Sequence, residues 1–138
     1  MSSEFTRASH TRLNVFPSEE GYRFREYFDE PGLFASLKPF YDDEKYRFEV
    51  PKDRFDTVAD LLKSYEYEPV IVEDPTPFVV AFKRFSDHPR VLFQHAVEQR
   101  RTDRYTLFLL NRRDAVTEAV EKGAIELSDL EDIEWTVR

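Results

Sequence analysis

The spacing of apolar residues changes repeatedly over residues 46–110, and this change of period constrains the fold more than any other feature. The segment Tyr46–Val50 alternates apolar and charged residues, which predicts a half-buried strand. Helical spacing follows from the candidate N-cap Asp53 to about Ser64. One face of this predicted helix is apolar and contains Phe55, Val58, Ala59, Leu61 and Leu62. Further short strands are predicted at residues 70–72, 78–85 and 105–110.

Residues 86–100 decide the topology, and their pattern fits two structures. Ser86–Pro89 resembles a helix start, which favours a helix over residues 89–100, whereas Val91, Phe93, His95 and Val97 alternate as a strand would. With the helix, residues 46–110 have the order β-α-β-β-α-β of a ferredoxin-like two-layer α+β sandwich. With the strand, the sheet is a more meandering α+β arrangement.

The segments outside this region extend the sandwich. An aromatic N-terminal extension precedes it, in which residues 18–30 fit either a helix or a strand. A helix is predicted over Arg112–Lys122, capped by Asn111 and ended by Gly123, followed by a strand over residues 133–137. We therefore expect a flexible N-terminus over residues 1–11 and a single α+β domain over residues 12–138.

The composition restricts the class of protein. The chain has no cysteine, which excludes disulfides, thiolate metal sites and a cysteine nucleophile. Its longest apolar run is Phe78–Phe82, which is too short for a membrane helix, and residues 1–20 contain no apolar signal region. We therefore expect a cytoplasmic protein.

The charge balance is strongly acidic. There are 28 acidic residues against 20 basic ones, and the net charge is -8. Only 6 of the 20 basic residues are lysine, so the composition resembles that of soluble proteins from halophiles that accumulate salt. A dense carboxylate surface keeps such a protein dispersed, and concentrated salt screens its self-repulsion.

Aromatic residues are concentrated near the N-terminus. Ten of the 21 lie between Phe16 and Phe48. Such a concentration is typical of a core or a subunit interface, and from it we expect a homo-oligomer. A surface that stacks on a ligand is the alternative.

Several kinds of chemistry are disfavoured by the motifs that are missing. The three glycines, Gly21, Gly32 and Gly123, do not form a P-loop or a dinucleotide-binding loop. His88 and His95 are seven residues apart, which is not a familiar metal-ligand spacing. We therefore expect no metal and no cofactor.

Positive charge is concentrated between Lys83 and Arg113, which is the main irregularity in the charge pattern. This stretch has eight basic residues against three acidic ones. The candidate anion or nucleic-acid binding residues are Arg84, Arg100, Arg101, Arg104, Arg112 and Arg113. The alternative is a basic edge that pairs with acidic residues of the same or another subunit, and high salt favours that alternative.

Three functions remain from the sequence. The first is a non-enzymatic cytoplasmic binding or regulatory protein, because no catalytic constellation is evident. The second is RNA binding through the arginine-rich stretch 83–113. The third is an enzyme acting on a small anionic substrate, with His88 or His95 as the general acid or base and a nearby arginine holding the anion.

Overall fold

A computed structural model of the protein describes residues 11–138, and this part of the chain forms nine strands and four α-helices. The strands are β1 (Thr11–Pro17), β2 (Gly21–Phe24), β3 (Tyr41–Asp42), β4 (Arg47–Pro51), β5 (Tyr67–Ile71), β6 (Val79–Lys83), β7 (Ala96–Arg101), β8 (Tyr105–Leu110) and β9 (Ile125–Glu126). The helices are α1 (Pro31–Leu37), α2 (Phe55–Ser64), α3 (Arg90–His95) and α4 (Arg113–Glu121). The predicted mixed α+β class is confirmed. The flexible N-terminus predicted at residues 1–11 lies outside the described residues, except for Thr11, which begins β1.

The strands are divided between two sheets. The first has the order β3-β4-β2-β1-β5, and the second has the order β7-β8-β6-β9. Only β1 and β5 are parallel; all other neighbouring strands of the described chain are antiparallel. The chain passes from the first sheet to the second between β5 and β6.

This division means that the ferredoxin-like arrangement is not confirmed. The predicted β-α-β-β-α-β order does occur along the chain, but β4 and β5 belong to the first sheet, while β6, β7 and β8 belong to the second. The segment between β5 and β6 contains Pro75 and Pro77 and a 3₁₀ turn at Thr76–Phe78. Proline restricts the backbone and lacks an N–H donor, so this connection does not form a tight hairpin. Instead β5 pairs with β1.

The first sheet and its helices form a two-layer unit with an aromatic core. Alternation along the strands directs one set of side chains toward α1 and α2. The buried members of this core include Leu13, Val15, Phe24, Phe28, Phe48, Val50, Phe55 and Leu62. The rings of Phe24 and Phe48 stack with their centroids 5.1 Å apart. Most of the aromatic residues near the N-terminus therefore pack in this core, as one of the two sequence interpretations predicts.

The second sheet is apolar on both faces. One face packs under α3 and α4 through Val80, Phe108 and Leu110. The other face contains Val79, Ala81, Leu107 and Leu109, and it packs with Phe16, Val72, Phe78 and the C-terminal residues Ile133 and Trp135. Phe16 belongs to β1, so this second core joins the two sheets.

The structure resolves the two segments whose sequence pattern was ambiguous. In residues 18–30, the strand interpretation is correct for Gly21–Phe24, and residues 25–30 have no regular structure. In residues 89–100, the helix interpretation is correct up to His95, and a strand begins at Ala96. A register shift between Ala96 and Glu98 follows directly after the helix. The two alternatives thus apply to successive parts of the same segment.

Three finer predictions are wrong. Residues 133–137 form no strand, because β9 already pairs with β6 and because Ile133 and Trp135 pack on the second core instead. Asp53 does not cap α2, since a 3₁₀ turn over Lys52–Arg54 leads into that helix. Asn111 does not cap α4 either, because its side chain bonds to other segments. Gly123 has a φ of 105° just after α4, as its predicted role requires.

Candidate anion-binding groove

The face of the first sheet opposite its aromatic core is charged. Phe24 and Phe48 point toward the helices, so their neighbours Arg23 and Arg47 point toward the second sheet. The side chain of Arg47 is only 5% exposed and that of Arg23 is 16% exposed. These two guanidinium groups therefore lie between the sheets rather than in solvent.

Glu98 of β7 holds three arginines together. Its Oε1 accepts a hydrogen bond from Nη1 of Arg23, and its Oε2 accepts one from Nε of Arg100. Nη1 of Arg47 lies 3.9 Å from the same Oε1. Glu49 adds a second carboxylate, 3.4 Å from Nε of Arg47 and 3.7 Å from Nε of Arg23. Three guanidinium groups thus share two carboxylates, which leaves a net positive charge between the sheets.

Two arginines of the first sheet also cover the edge of the second. Strand β7 is an edge strand. Nη1 of Arg25 donates to the carbonyl oxygen of Ala96 at 2.8 Å, and Nη1 of Arg47 donates to that of Val97 at 3.0 Å. Uncovered strand edges invite pairing with other chains. Arg25 and Arg47 therefore provide hydrogen-bond donors for two carbonyl groups of the edge strand β7.

A pair of asparagines links the sheets beside this charged region. Nδ2 of Asn14 donates to the carbonyl oxygen of Asn111 at 2.9 Å, and Nδ2 of Asn111 donates to that of Arg25 at 3.0 Å. Nδ1 of His95 donates to Oδ1 of Asn111 at 3.1 Å. Burial lowers the pKa of His95, and the positive charge of Arg112 lowers it further. The hydrogen bonds of Asn111 thus fix both the end of β2 and the His95 ring.

Between these contacts the surface opens into a groove of about 610 Å³. Six of the residues that line the groove are cationic and two are acidic. The cationic ones are Arg23, Arg25, Lys45, Arg47, Arg100 and Arg138, and the acidic ones are Glu44 and Glu98. The rings of Tyr46 and Phe93 also line it, and they are 58% and 52% exposed. The groove thus concentrates positive charge in a chain whose net charge is -8.

Arg25 differs from the other arginines of the groove. It is half-buried, and burial lowers the pKa of its guanidinium from the ordinary value. Among the described residues it makes no ion pair. Arginine stays protonated in proteins, so Arg25 presents an unneutralised charge to the groove.

The structure separates the six arginines that the sequence singles out. Only Arg100 lines the groove, where its guanidinium also lies 3.7 Å from the centroid of the Trp135 ring. Arg84 and Arg104 meet at one end of the second sheet, where the backbone N–H of Arg84 donates to the carbonyl of Arg104. Arg101 ends β7 beside the turn that leads to Arg104.

The remaining two predicted arginines lie elsewhere and are paired. Nε of Arg112 lies 3.4 Å from Asp114, and Nη1 of Arg113 lies 3.4 Å from Glu126. Together with Arg100 and Glu98, these contacts agree with the alternative interpretation, in which the basic stretch pairs with acids of the same chain.

Sequence reasoning missed Arg23, Arg25 and Arg47. They lie outside residues 83–113, in segments whose local charge is unremarkable. The sequence feature that points to them is the alternation of residues 22–25. Because Tyr22 and Phe24 belong to one face of the strand, Arg23 and Arg25 belong to the opposite face. The sequence does not say that a second sheet covers this face.

Neither candidate histidine lines the groove. His95 bonds to Asn111, and the His88 ring packs against Phe82 and Phe108 with centroids 5.5 and 5.4 Å away. In residues 11–138, no group of three or more His, Cys, Asp or Glu side chains is placed to hold a metal ion. No helix in that range has the length and apolar character needed to cross a membrane.

Comparison with known proteins identifies no relative of this chain. No protein-family model, curated protein or solved structure matches the chain.

Proposed function

We propose that the protein is a non-enzymatic binding protein that holds a small anionic ligand in the groove between its two sheets. The observation that carries this proposal is Arg25, a half-buried guanidinium without an acidic partner among the described residues. A guanidinium can donate two parallel hydrogen bonds to one carboxylate or phosphate. Within residues 11–138, the only hydrogen bond from this guanidinium runs from Nη1 to the Ala96 carbonyl.

The neighbouring arginines support the same function in a different way. Glu98 fixes Arg23 and Arg100, and Arg47 is held by the Val97 carbonyl. Because these side chains are already ordered, the protein loses little conformational freedom when a ligand binds beside them. The positive potential of the groove is therefore preorganised.

The lining of the groove favours binding over catalysis. The described residues that line it include no histidine, serine, threonine or cysteine. Of its two carboxylates, Glu98 is engaged with arginines. General acid–base catalysis needs a group that titrates near the working pH and reaches the ligand, and His95 lies outside the lining.

The test is a calorimetric titration with pyrophosphate and with succinate, which separate phosphate from carboxylate recognition. We expect binding by the wild type and a loss of about tenfold or more in Arg25→Gln, corresponding to one charge-assisted interaction. Arg54→Gln is the matched control, because Arg54 is exposed at the start of α2 on the other side of the first sheet. Equal affinities for all three proteins, or no binding of either anion, would contradict the proposal.

A second candidate function is supported by a separate exposed surface. Phe85 is 93% exposed, and the Arg84 guanidinium lies 4.9 Å from its ring centroid. Arg101 and Arg104 lie close by, at the turn between β7 and β8. Exposed rings beside arginines are typical of surfaces that bind single-stranded nucleic acid. This basic tip, made of Arg84, Phe85, Arg101 and Arg104, is where RNA binding is best supported.

The basic tip is tested with Phe85→Ala and Arg104→Ala. If the tip binds RNA, Phe85→Ala should weaken binding of a short oligoribonucleotide by about fivefold or more through lost stacking. Arg104→Ala should reduce the slope of log affinity against log salt by about one unit. Retention of the oligonucleotide by both variants at the wild-type level would remove this candidate.

Self-association stays a prediction with less support than the sequence suggested. Six of the ten rings near the N-terminus are buried in the first core or packed against it. Tyr27, which is 85% exposed, is one ring of that region still free to contact a second copy. Sedimentation velocity at micromolar concentration and high KCl tests this, and a strict monomer would contradict it.

A further inference from the structure

Two half-exposed aromatic rings share the groove with Arg25. Tyr46 precedes β4 and Phe93 lies in α3, so the rings come from opposite halves of the molecule. Phe93 packs edge-on against Phe108, with centroids 6.0 Å apart, and about half of the residue is exposed. An apolar core does not require either ring at the mouth of a charged groove.

Tyr46 is also unusual in its backbone. Its φ is 56°, a left-handed conformation that is uncommon for any residue except glycine and rare for a bulky one. Its ring lines the groove, and the Arg25 guanidinium lies 5.8 Å from the ring centroid. Sparsely populated backbone conformations are concentrated at functional sites. The groove therefore has a cation and an aromatic surface side by side.

We infer that the ligand of the groove is a nucleotide, either free or as one unit of a single-stranded nucleic acid. This inference depends on the proposed anion-binding function. The phosphate would contact Arg25 and Lys45, and the base would stack on Tyr46 or Phe93. Side chains would make these contacts, so no glycine-rich loop is needed.

Three properties of the groove fit this ligand. Its volume of about 610 Å³ lies in the usual range of small-molecule sites. Stacking on aromatic rings tolerates any base. Gln99 also lines the groove, and its amide carries both a donor and an acceptor for a base edge.

The experiment compares three probes: inorganic phosphate, ribose 5-phosphate and AMP. The single tryptophan, Trp135, lies on Arg100 of the groove, so its fluorescence can report binding alongside calorimetry. In the wild type we expect AMP to bind about tenfold or more tighter than ribose 5-phosphate, because stacking of one base contributes about that much. Equal affinities for these two probes would overturn the nucleotide inference and leave the anion site standing.

Ring variants then measure how much Tyr46 and Phe93 contribute to AMP affinity. Tyr46→Gly removes one ring while suiting the left-handed backbone, so it should fold, and Phe93→Ala removes the other ring. The double variant should bind AMP and ribose 5-phosphate with equal affinity. Tyr46→Phe should keep AMP binding, and Tyr27→Ala is the control for an exposed ring outside the groove.

The outcomes separate the two proposals. If Arg25→Gln weakens ribose 5-phosphate while the ring variants do not affect AMP, the groove binds anions but not nucleotides as such. If no phosphate compound binds the wild type, the nucleotide inference fails, and the anion-binding proposal fails with it only if succinate does not bind either.

An oligoadenylate identifies the source of the nucleotide. Oligoadenylate binding that exceeds AMP binding and is lost in the ring variants supports a single-stranded nucleic acid. Equal affinity for both probes supports a free nucleotide. Oligoadenylate binding that survives the ring variants but is lost in Phe85→Ala places nucleic acid at the basic tip and overturns its assignment to the groove.

Discussion

Both faces of the first sheet bury side chains, but these side chains have opposite chemistry. On one face Phe24 and Phe48 are 0% and 1% exposed among other apolar side chains. On the other, Arg47 is 4% exposed and is surrounded by carboxylates and carbonyl groups. Alternation of apolar and charged residues therefore identifies a strand here, but not which of its faces meets water.

The two faces also stabilise the protein by different means. Burying rings is favourable in proportion to the apolar area removed from water. Burying guanidinium groups is unfavourable unless partners compensate for lost hydration, so the charged face depends on its carboxylates and carbonyl groups. We expect the aromatic face to tolerate conservative substitution and the charged face to be sensitive to the removal of one partner.

The largest effect is expected on the aromatic face, from Phe48→Ala. The Phe48 ring contacts those of Phe24, Phe28 and Tyr41, so its removal leaves a cavity in the first core. We expect a loss of about 3–5 kcal/mol in the free energy of unfolding, measured with urea. Phe48→Leu should lie between this variant and the wild type. If Tyr27→Ala, at an exposed ring, destabilises the protein equally, the comparison of the two faces is wrong.

The charged face should respond most to Glu98→Gln. This change removes the charge shared by Arg23, Arg47 and Arg100 while nearly preserving shape. Because the arginines stay between the sheets, we expect a loss of about 2–3 kcal/mol. Glu118→Gln breaks an exposed pair with Lys122 and should change stability by less than about 0.5 kcal/mol. A neutral Glu98→Gln would show that the guanidinium groups do not depend on this carboxylate.

The sequence could predict those parts of the fold that depend on local geometry. The apolar alternation of residues 46–50 and the helical spacing of residues 55–62 depend on local geometry, and both elements formed, although the strand begins at Arg47 and leaves Tyr46 outside it. The partition into two sheets depends on which strands pair over long distances. Strand β5 pairs with β1 rather than with its successor β6, and no local pattern encodes that choice.

The candidate site was less predictable for the same reason. A search for charge along the chain finds Arg100, because it lies in a basic stretch. Arg23, Arg25 and Arg47 gather around it only after two sheets pack face to face. Positive charge that is dispersed in sequence thus becomes concentrated in space.

A smaller effect is expected where the sheets are joined by neutral hydrogen bonds. Asn111→Ala removes the donor to the Arg25 carbonyl and the partner of His95. Loss of buried hydrogen bonds of this kind should cost about 1–2 kcal/mol. Because no ion pair is broken, this difference from the wild type should stay constant as KCl is raised. Thr117→Ala is the control, since its hydroxyl is exposed and bonds only within α4. A difference that shrinks strongly with salt would indicate an electrostatic role instead.

The smallest effect concerns His95, at the boundary of the charged region. Burial and the charges of Arg112 and Arg25 lower its pKa in the folded state, while Asp114 and the hydrogen bond to Asn111 oppose them. The unfolded chain therefore binds a proton at this site more readily than the folded one. Folding stability should be independent of this group well above its unfolded pKa of about 6.5, and it should fall as the pH drops from there toward the folded pKa.

His95→Gln isolates this contribution, since glutamine can still donate to Asn111 but does not titrate. Urea unfolding of both proteins from about pH 8 to about pH 5 should give two curves that converge or cross as the wild type loses stability. Carboxylates that titrate at lower pH affect both proteins alike, so the difference between the curves reports His95. Parallel curves over the whole range would mean that His95 has the same proton affinity folded and unfolded. Burial and the charges of Arg112 and Arg25 would then not disfavour the protonated ring in the folded state.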